Sequence, residues 1–156
     1  MKKLLLIAFL FSITNVFAQD VDSYIELLKS DVKTNRKAII TEVMAFTEKE
    51  SEAFWPIYNE FEYEASKLSD NRISNIKDFA ANYDSLTDVK ADELIKNSFN
   101  FLEDRLSLNK KYYDKFAKVL TPTVAAKYMQ LEHQIQLVMD LSIAANLPLM
   151  KKPGAK

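Results

Sequence analysis

Glycine is almost absent from this chain, and that absence limits the folds open to it more than any other feature. The one glycine among 156 residues is Gly154, close to the C-terminal end. Two-residue β-hairpin turns rely on pairs such as Asn-Gly or Asp-Gly, and neither pair occurs. Alanine, leucine, lysine and glutamate, which favour helix interiors, are plentiful. The composition therefore predicts an all-α fold.

Three short segments share a pattern typical of a helix N-terminus. In each, an apolar residue precedes a threonine, and a residue suited to the first helical turn follows: Phe46-Thr47-Glu48, Leu86-Thr87-Asp88 and Leu120-Thr121-Pro122. A threonine side chain can accept a hydrogen bond from a free backbone NH group, and Thr47 with Glu50 has the spacing of a capping box. These starts predict four helices, at Val21–Met44, Glu48–Ala81, Asp88–Leu120 and Pro122–Asn146.

The short segment 82–85 predicts that helices two and three form an antiparallel hairpin, which helices one and four flank. At roughly 1.5 Å per residue, helices two and three are each about 50 Å long, so we expect an elongated molecule. Pro56 lies inside helix two and predicts a kink or a restart there, because proline lacks a backbone NH group. We expect a single helical domain over residues 19–150 and a basic, flexible tail over 151–156.

Apolar residues recur every three or four positions in each predicted helix, which gives every helix one face for packing. Arg36, Arg72 and Asn109 are the polar interruptions. The residues that we predict to form the core are Ile25, Leu28, Val32, Ile39 and Val43 in helix one; Phe54, Tyr58, Phe61, Ala65, Leu68, Ile76 and Phe79 in helix two; Ile95, Phe99, Leu102, Leu106, Tyr113, Phe116 and Leu120 in helix three; and Val124, Tyr128, Leu131, Ile135 and Val138 in helix four.

Helix three carries a second apolar stripe, roughly 110° around the helix from the first. Its members are Leu94, Phe101, Leu108, Tyr112 and Val119. Either another helix of the same chain covers this stripe, or it binds a client, a signalling partner or a second subunit, because monomers rarely expose large apolar patches. We take these five residues as the candidate partner-binding surface, and changing Phe101 and Leu108 to serine separates the two accounts.

The first residues have the pattern of a signal peptide. Lys2 and Lys3 precede the apolar run 4–11, and small residues stand at Val16 and Ala18, three and one positions before a predicted cut after Ala18. The apolar run is too short for a membrane anchor, and no later run of about 18 apolar residues predicts a span. We therefore expect export to the periplasm, or full secretion, of a chain that begins at Gln19.

The side chains available for chemistry are few. There is no cysteine, which excludes disulfides and thiolate metal sites, and the single histidine, His133, has only Met129 near it as a second metal ligand. Glu60 and Glu64 are better explained by a solvated helix face than by a cation site. Removing residues 1–18 takes away two lysines and moves the net charge from −1 to −3, which argues against a nucleic-acid partner. The sequence predicts no enzyme active site, no cofactor and no metal.

The segments 86–90 (LTDVK) and 120–124 (LTPTV), behind a signal peptide and in a long helical hairpin, resemble the Spy/CpxP family of periplasmic helical proteins. That family is marked by Leu-Thr-x-x-Gln motifs, and both segments here lack the glutamine. The resemblance implies an ATP-independent chaperone or stress adaptor that holds partly unfolded proteins on a helical surface.

Two further segments, Phe54–Phe61 (FWPIYNEF) and Tyr128–Glu132 (YMQLE), resemble exported Bacteroidetes proteins described as sensors of extracytoplasmic-function sigma factors. This second resemblance implies a regulator that docks on one membrane-bound signalling partner. Within the first segment, Trp55 either fills a packing gap beside Pro56 or takes part in recognition.

Overall fold

In the computed structural model, residues 35–151 are described, and all regular secondary structure in that range is helical. The described part of helix α1 is residues 35–44. Helix α2 covers Glu48–Asn82, α3 covers Asp88–Val119 and α4 covers Pro122–Asn146; a turn of 3₁₀ helix, Tyr83–Ser85, joins α2 to α3. The all-α prediction is confirmed. The predicted signal peptide, residues 21–34 of predicted helix one, and tail residues 152–156 lie outside the described range.

All three predicted helix starts are confirmed by their capping bonds. The Thr47 hydroxyl accepts from the Glu50 NH at 3.3 Å, and the Glu50 carboxylate accepts from the Thr47 NH at 2.9 Å, which completes the capping box. The Thr87 hydroxyl accepts from the Lys90 NH, and the Thr121 hydroxyl from the Val124 NH. Each threonine thus pairs one of the free NH groups that a helix N-terminus leaves.

Helix α2 runs without a break through Pro56, so the predicted possibility of a restart is wrong. Proline removes one backbone hydrogen bond from the helix. The buried rings of Phe54 and Tyr58 lie on either side of Pro56 and anchor both flanking turns in the core. Tertiary packing supplies most of the stability of a protein helix, which explains why the loss of one bond does not end it here.

Contacts between α2 and α3 show an antiparallel hairpin. Near the start of α2, Phe54 stacks on Phe116 late in α3 with 5.0 Å between ring centroids. Near the end of α2, Asn75 donates to the Leu94 carbonyl early in α3 at 3.1 Å. Helix α4 then returns along the hairpin, where Tyr128 meets Phe116 at a centroid distance of 4.8 Å. The predicted hairpin with flanking helices therefore describes the observed architecture.

The main core is an aromatic cluster at the end of the molecule where α1 leads into α2 and α3 leads into α4. Its rings pack in edge-to-face and stacked pairs, the geometries that aromatic side chains prefer. A smaller apolar cluster centred on Ile76 includes Ile143 and Leu147 and lies nearer the α2–α3 turn. The fully buried rings of the main cluster are Phe54, Tyr58, Phe61, Tyr112, Phe116 and Tyr128.

The predicted core of α2 is confirmed, since six of its seven residues are buried and Leu68 is half-buried. In the described part of α1 the prediction is wrong by one position: Ile40 and Met44 are buried, whereas Ile39 and Val43 are exposed. One residue turns a helix face by about 100°, so such a shift exchanges core for solvent. In α4, Tyr128 and Leu131 are buried as predicted, but Val138 is exposed.

Candidate interaction surface

The stripe predicted to bind a partner lies mostly inside the protein. Leu94, Leu108 and Tyr112 are buried, Phe101 is half-buried, and Val119, the last residue of α3, is exposed. The Tyr112 ring packs edge-on against Phe61 with 5.2 Å between centroids. The assignment of a partner-binding surface is therefore wrong for Leu94, Leu108 and Tyr112, because the chain's own helices cover them.

Polar side chains beside this stripe have partners on α2, as expected when the stripe faces inward. Lys111, next to Tyr112, forms an ion pair with Glu64 of α2 at 2.7 Å, and Lys115 pairs with Glu60 at 2.7 Å. The Tyr112 hydroxyl also donates to the Glu64 carboxylate at 2.9 Å. These pairs form only when the stripe that contains Tyr112 faces α2. Apolar periodicity alone cannot choose between two apolar faces of one helix, whereas these partners can.

Most of the stripe predicted to be core is instead exposed, although Phe116 is buried as predicted and Leu120 is half-buried. Ile95 is 42% exposed, Phe99 55%, Leu102 59% and Leu106 54%, and we call these four residues the exposed α3 stripe. Tyr113 continues the same face at 36% exposure. Scattered exposed apolar residues are ordinary, but a continuous row at spacings of four, three and four residues is typical of an interaction surface.

A second group of exposed apolar residues lies on α4. Leu137, Val138 and Leu141 are all more than half exposed, and they occupy the side of α4 opposite the buried Glu132. This group is shorter than the exposed α3 stripe and does not keep the regular four-three spacing. We therefore take the exposed α3 stripe as the principal candidate surface.

A groove of about 690 Å³ adjoins the exposed α3 stripe. Residues of α2, α3 and the end of α4 line it, among them Asn75, Phe101, Leu102 and Ile143. Arg72 lies over the Phe101 ring at 5.0 Å from its centroid and donates to Asp140 at 2.5 Å. Because Leu102 belongs both to the groove and to the stripe, the apolar surface of α3 continues into this depression.

A buried ionic centre ties three helices together beneath the surface. Glu132 of α4 has no exposed area, and its two carboxylate oxygens accept from Arg36 of α1 at 2.7 and 2.8 Å. Arg105 of α3 also donates to this carboxylate. Charge-assisted hydrogen bonds of this kind are among the strongest in proteins. The centre therefore fixes how α1, α3 and α4 sit against one another.

The surroundings keep this centre charged overall. Burial lowers the pKa of the Arg105 side chain, and attraction to Glu132 opposes that effect. Burial acts on Arg36 in the same sense and is the largest single effect, but attraction to Glu132, Tyr58 and Tyr128 and the hydrogen bond to Glu132 together leave the pKa of Arg36 raised. Burial raises the pKa of Tyr128 well above its ordinary value, so its hydroxyl is neutral at physiological pH. Two guanidinium groups therefore share the Glu132 carboxylate inside the protein.

Sequence reasoning missed Glu132 and Arg105 as core residues. A signal for Glu132 was present, because it follows Tyr128 by four positions on the predicted inward face of helix four. Arg36 interrupts the apolar face of helix one, and a buried arginine calls for a carboxylate partner. Arg105 gave no such signal, because it lies outside the stripe that was predicted to be core.

The other residues singled out from the sequence are explained by packing and ion pairs. The Trp55 indole NH donates to the Ser51 hydroxyl at 3.0 Å, and its ring packs edge-on against Tyr58, which favours the packing account. Glu60 and Glu64 bind lysines of α3, as described above. His133 is exposed on α4.

Residues 35–151 contain no group of three or more side chains placed to hold a metal ion, and no helix of that range is long and apolar enough to cross a membrane. Comparisons with protein-family models, with curated proteins and with solved structures found no match for the chain. The features of this chain that bear on its function are therefore the exposed α3 stripe and the two resemblances of its sequence.

Proposed function

We propose that this chain is an exported, ATP-independent binding protein that holds partly unfolded proteins on the exposed α3 stripe. The observation that carries the proposal is the row Ile95, Phe99, Leu102 and Leu106, which stays open to solvent on a helix whose other apolar stripe is packed. Partly unfolded chains expose apolar side chains, so such a row binds them without reading a particular sequence.

The rest of the structure suits a binding role. The aromatic cluster and the buried ionic centre stabilise one end of the hairpin, so the exposed α3 stripe lies on a helix that is packed against the core. A rigid surface loses little conformational freedom when it binds. The groove beside Leu102 adds a depression into which a client side chain can insert.

Replacing Phe99 and Leu102 together by serine is expected to abolish protection of clients against aggregation. Both side chains are more than half exposed, so helical content measured by circular dichroism should stay near that of the unchanged protein. Protection is measured by light scattering with several unrelated heat-denatured proteins. We expect the amount of protein needed to delay aggregation to rise at least about tenfold, since each anchor residue contributes on the order of 1–2 kcal/mol.

Val89→Ser is the matched control for this experiment. Val89 is 80% exposed on the same helix, but it lies about 120° around α3 from the centre of the stripe. This variant should protect clients as well as the unchanged protein does. If both variants lost client protection equally, protection would depend on general surface hydrophobicity and not on the exposed α3 stripe.

The alternative function is that of a regulator that docks on one membrane-bound envelope-stress or sigma-factor signalling partner. The same stripe would then bind one protein and protect none of the unrelated clients. A chain that protects no client but binds one envelope protein through Phe99 and Leu102 would replace the chaperone proposal by this one.

Export itself makes a separate prediction. Cleavage after Ala18 should give a chain that begins at Gln19 and is recovered in the periplasmic fraction. Mass spectrometry of the protein from its native host reads the terminus directly. An intact Met1 terminus would contradict the signal-peptide prediction.

A further inference from the structure

We infer that the exposed α3 stripe and the adjoining side of α4 form one apolar cleft, which binds a client segment folded as an amphipathic helix with a cationic border. Naming this class of client rests on the proposed function. The α4 side of the cleft contains Leu137, which is 52% exposed and therefore as open to solvent as the stripe itself.

Leu137 lies level with the middle of the exposed α3 stripe. Helices α3 and α4 are antiparallel, and Arg105 of α3 donates to Glu132 of α4. Both helices rise by roughly 1.5 Å per residue, so about five residues forward from Glu132 correspond to about five residues back from Arg105. This register places Leu137 between Phe99 and Leu102.

The apolar side chains of both helices open to the same side of the molecule. Viewed along α3 from its N-terminus, α2 comes first, α4 follows about 90° clockwise, and the exposed α3 stripe follows next. Helix α4 runs the other way, so its residues advance counterclockwise in this view, and Leu137 and Ala144 follow the side that faces α3. Val138 instead lies within about 20° of Lys127, which donates to the Val43 carbonyl of α1 at 2.8 Å. Leu137 therefore borders the stripe, whereas Val138 lies on the α1 side of α4.

The cleft favours a helix over an extended segment. Its walls are two helices, whose backbone NH and C=O groups are bonded within each helix, so they offer no partners to the backbone of an extended chain. A helical segment satisfies its own backbone, and it fits between two rows of side chains because packed helix axes lie about 8–10 Å apart. Residues 95–106 extend over roughly 18 Å, which corresponds to about three turns of a client helix.

Charge specifies the two borders of the client helix. On the α4 side, residues 133–144 contain no lysine or arginine, and their one acid, Asp140, pairs with Arg72. On the α3 side, Glu103 is exposed and has no ion pair within residues 35–151, whereas Lys96 is already paired with Asp92. The complementary client helix therefore carries lysine or arginine over Glu103 and uncharged side chains over α4.

The other charges of this part of α3 lie outside the cleft. Arg105 is buried in the ionic centre. Lys110 is about one turn beyond Leu106, the last residue of the stripe, and Asp104 lies about 170° around α3 from the centre of the stripe. Glu103 is thus the carboxylate that a cationic border would meet.

The test measures the binding of labelled peptides of about 18 residues to the full chain by fluorescence anisotropy. The first peptide has leucines at helical spacings and lysines on one border, the second has the same residues in scrambled order, and the third has glutamate in place of each lysine. The first should bind at least about tenfold more tightly than the scrambled peptide, because only its leucines contact both rows at once. It should bind about threefold more tightly than the glutamate peptide, as expected of an exposed ion pair.

Two matched pairs of variants locate the contact. Leu137→Ser should weaken binding of the first peptide about tenfold, whereas Val138→Ser, at the adjacent exposed residue, should leave it unchanged. Glu103→Gln should remove the preference for lysine over glutamate, whereas Glu52→Gln, at an exposed acid of α2, should keep it. Circular dichroism verifies that each variant is folded.

Several results would overturn the inferred helix site. Equal binding of the first and the scrambled peptide would mean that the cleft accepts any apolar chain, and equal losses in Leu137→Ser and Val138→Ser would place the contact elsewhere. A preference for lysine that persists in Glu103→Gln would assign the charge contact to another residue. If sedimentation velocity showed a dimer that Leu137→Ser dissociates, a second copy of the chain would occupy the cleft.

Failure of the proposed function gives a different result. If the first peptide binds as expected but no unrelated client is protected from aggregation, the helix site stands and the chaperone function is wrong. If clients are protected through Phe99 and Leu102 while Leu137→Ser has no effect on peptide binding, the chaperone function stands and the helix site is wrong.

Discussion

Replacing Glu132 by leucine is expected to lower the free energy of unfolding by about 3–5 kcal/mol. Glu132 is fully buried, and both Arg36 and Arg105 donate to it. Without the carboxylate, the two buried guanidinium groups lose the opposite charge to which both are hydrogen-bonded. Urea unfolding followed by circular dichroism measures the change.

Two further variants test whether the loss of stability comes from leaving the two arginines buried without the carboxylate. Glu60→Leu removes an exposed carboxylate that pairs with Lys115, and it should cost no more than about 1 kcal/mol because water already solvates that pair. The triple variant R36M/R105M/E132L replaces all three charges by apolar groups of similar size. It should be nearly as stable as the unchanged protein or more stable, because no charge is then left buried.

If Glu132→Leu lowered the free energy of unfolding only slightly, water would have to reach the two arginines once the carboxylate is gone. A triple variant less stable than Glu132→Leu would show that the charges contribute net stability beyond compensating for their own burial. Either result would contradict the stability changes expected for these variants of the ionic centre.

The sequence predicts most of the helix boundaries because they depend on local chemistry. Thr47, Thr87 and Thr121 cap their helices through bonds to residues three positions on, so a short window contains the whole signal. The inward face of α2 was also predictable, because that helix has one clear apolar stripe and no competing one.

The inward face of α3 was not predictable in the same way. Both of its stripes have helical spacing, and the choice between them depends on partners that are distant in sequence, such as Glu64 for Lys111 and Tyr112. The ionic centre depends on still longer separations, since Arg36 and Glu132 are 96 residues apart. Spacing along one helix contains no information about such pairs, and so the candidate surface was assigned to the wrong side of α3.

Two leucine-to-alanine substitutions in α3 test which of its two apolar stripes is buried. Leu108→Ala is expected to lower the free energy of unfolding by about 2–5 kcal/mol, because Leu108 is only 6% exposed and its loss leaves a cavity in the aromatic cluster. Leu106→Ala, two positions earlier at 54% exposure, should change stability by no more than about 0.5 kcal/mol. Both variants remove the same atoms from the same helix, so helix propensity and side-chain chemistry cancel in the comparison.

Leu106→Ala and Leu108→Ala also distinguish an effect on folding from an effect on binding. Leu106→Ala should keep its helical content and lose affinity at the exposed α3 stripe, whereas Leu108→Ala should bind normally under conditions where it remains folded. By the same reasoning, changing Phe101 and Leu108 to serine should unfold the chain, because a buried hydroxyl is added to the lost packing at Leu108. Equal destabilisation by Leu106→Ala and Leu108→Ala would mean that both stripes of α3 are covered within one chain, and the exposed α3 stripe would then not be available to a client.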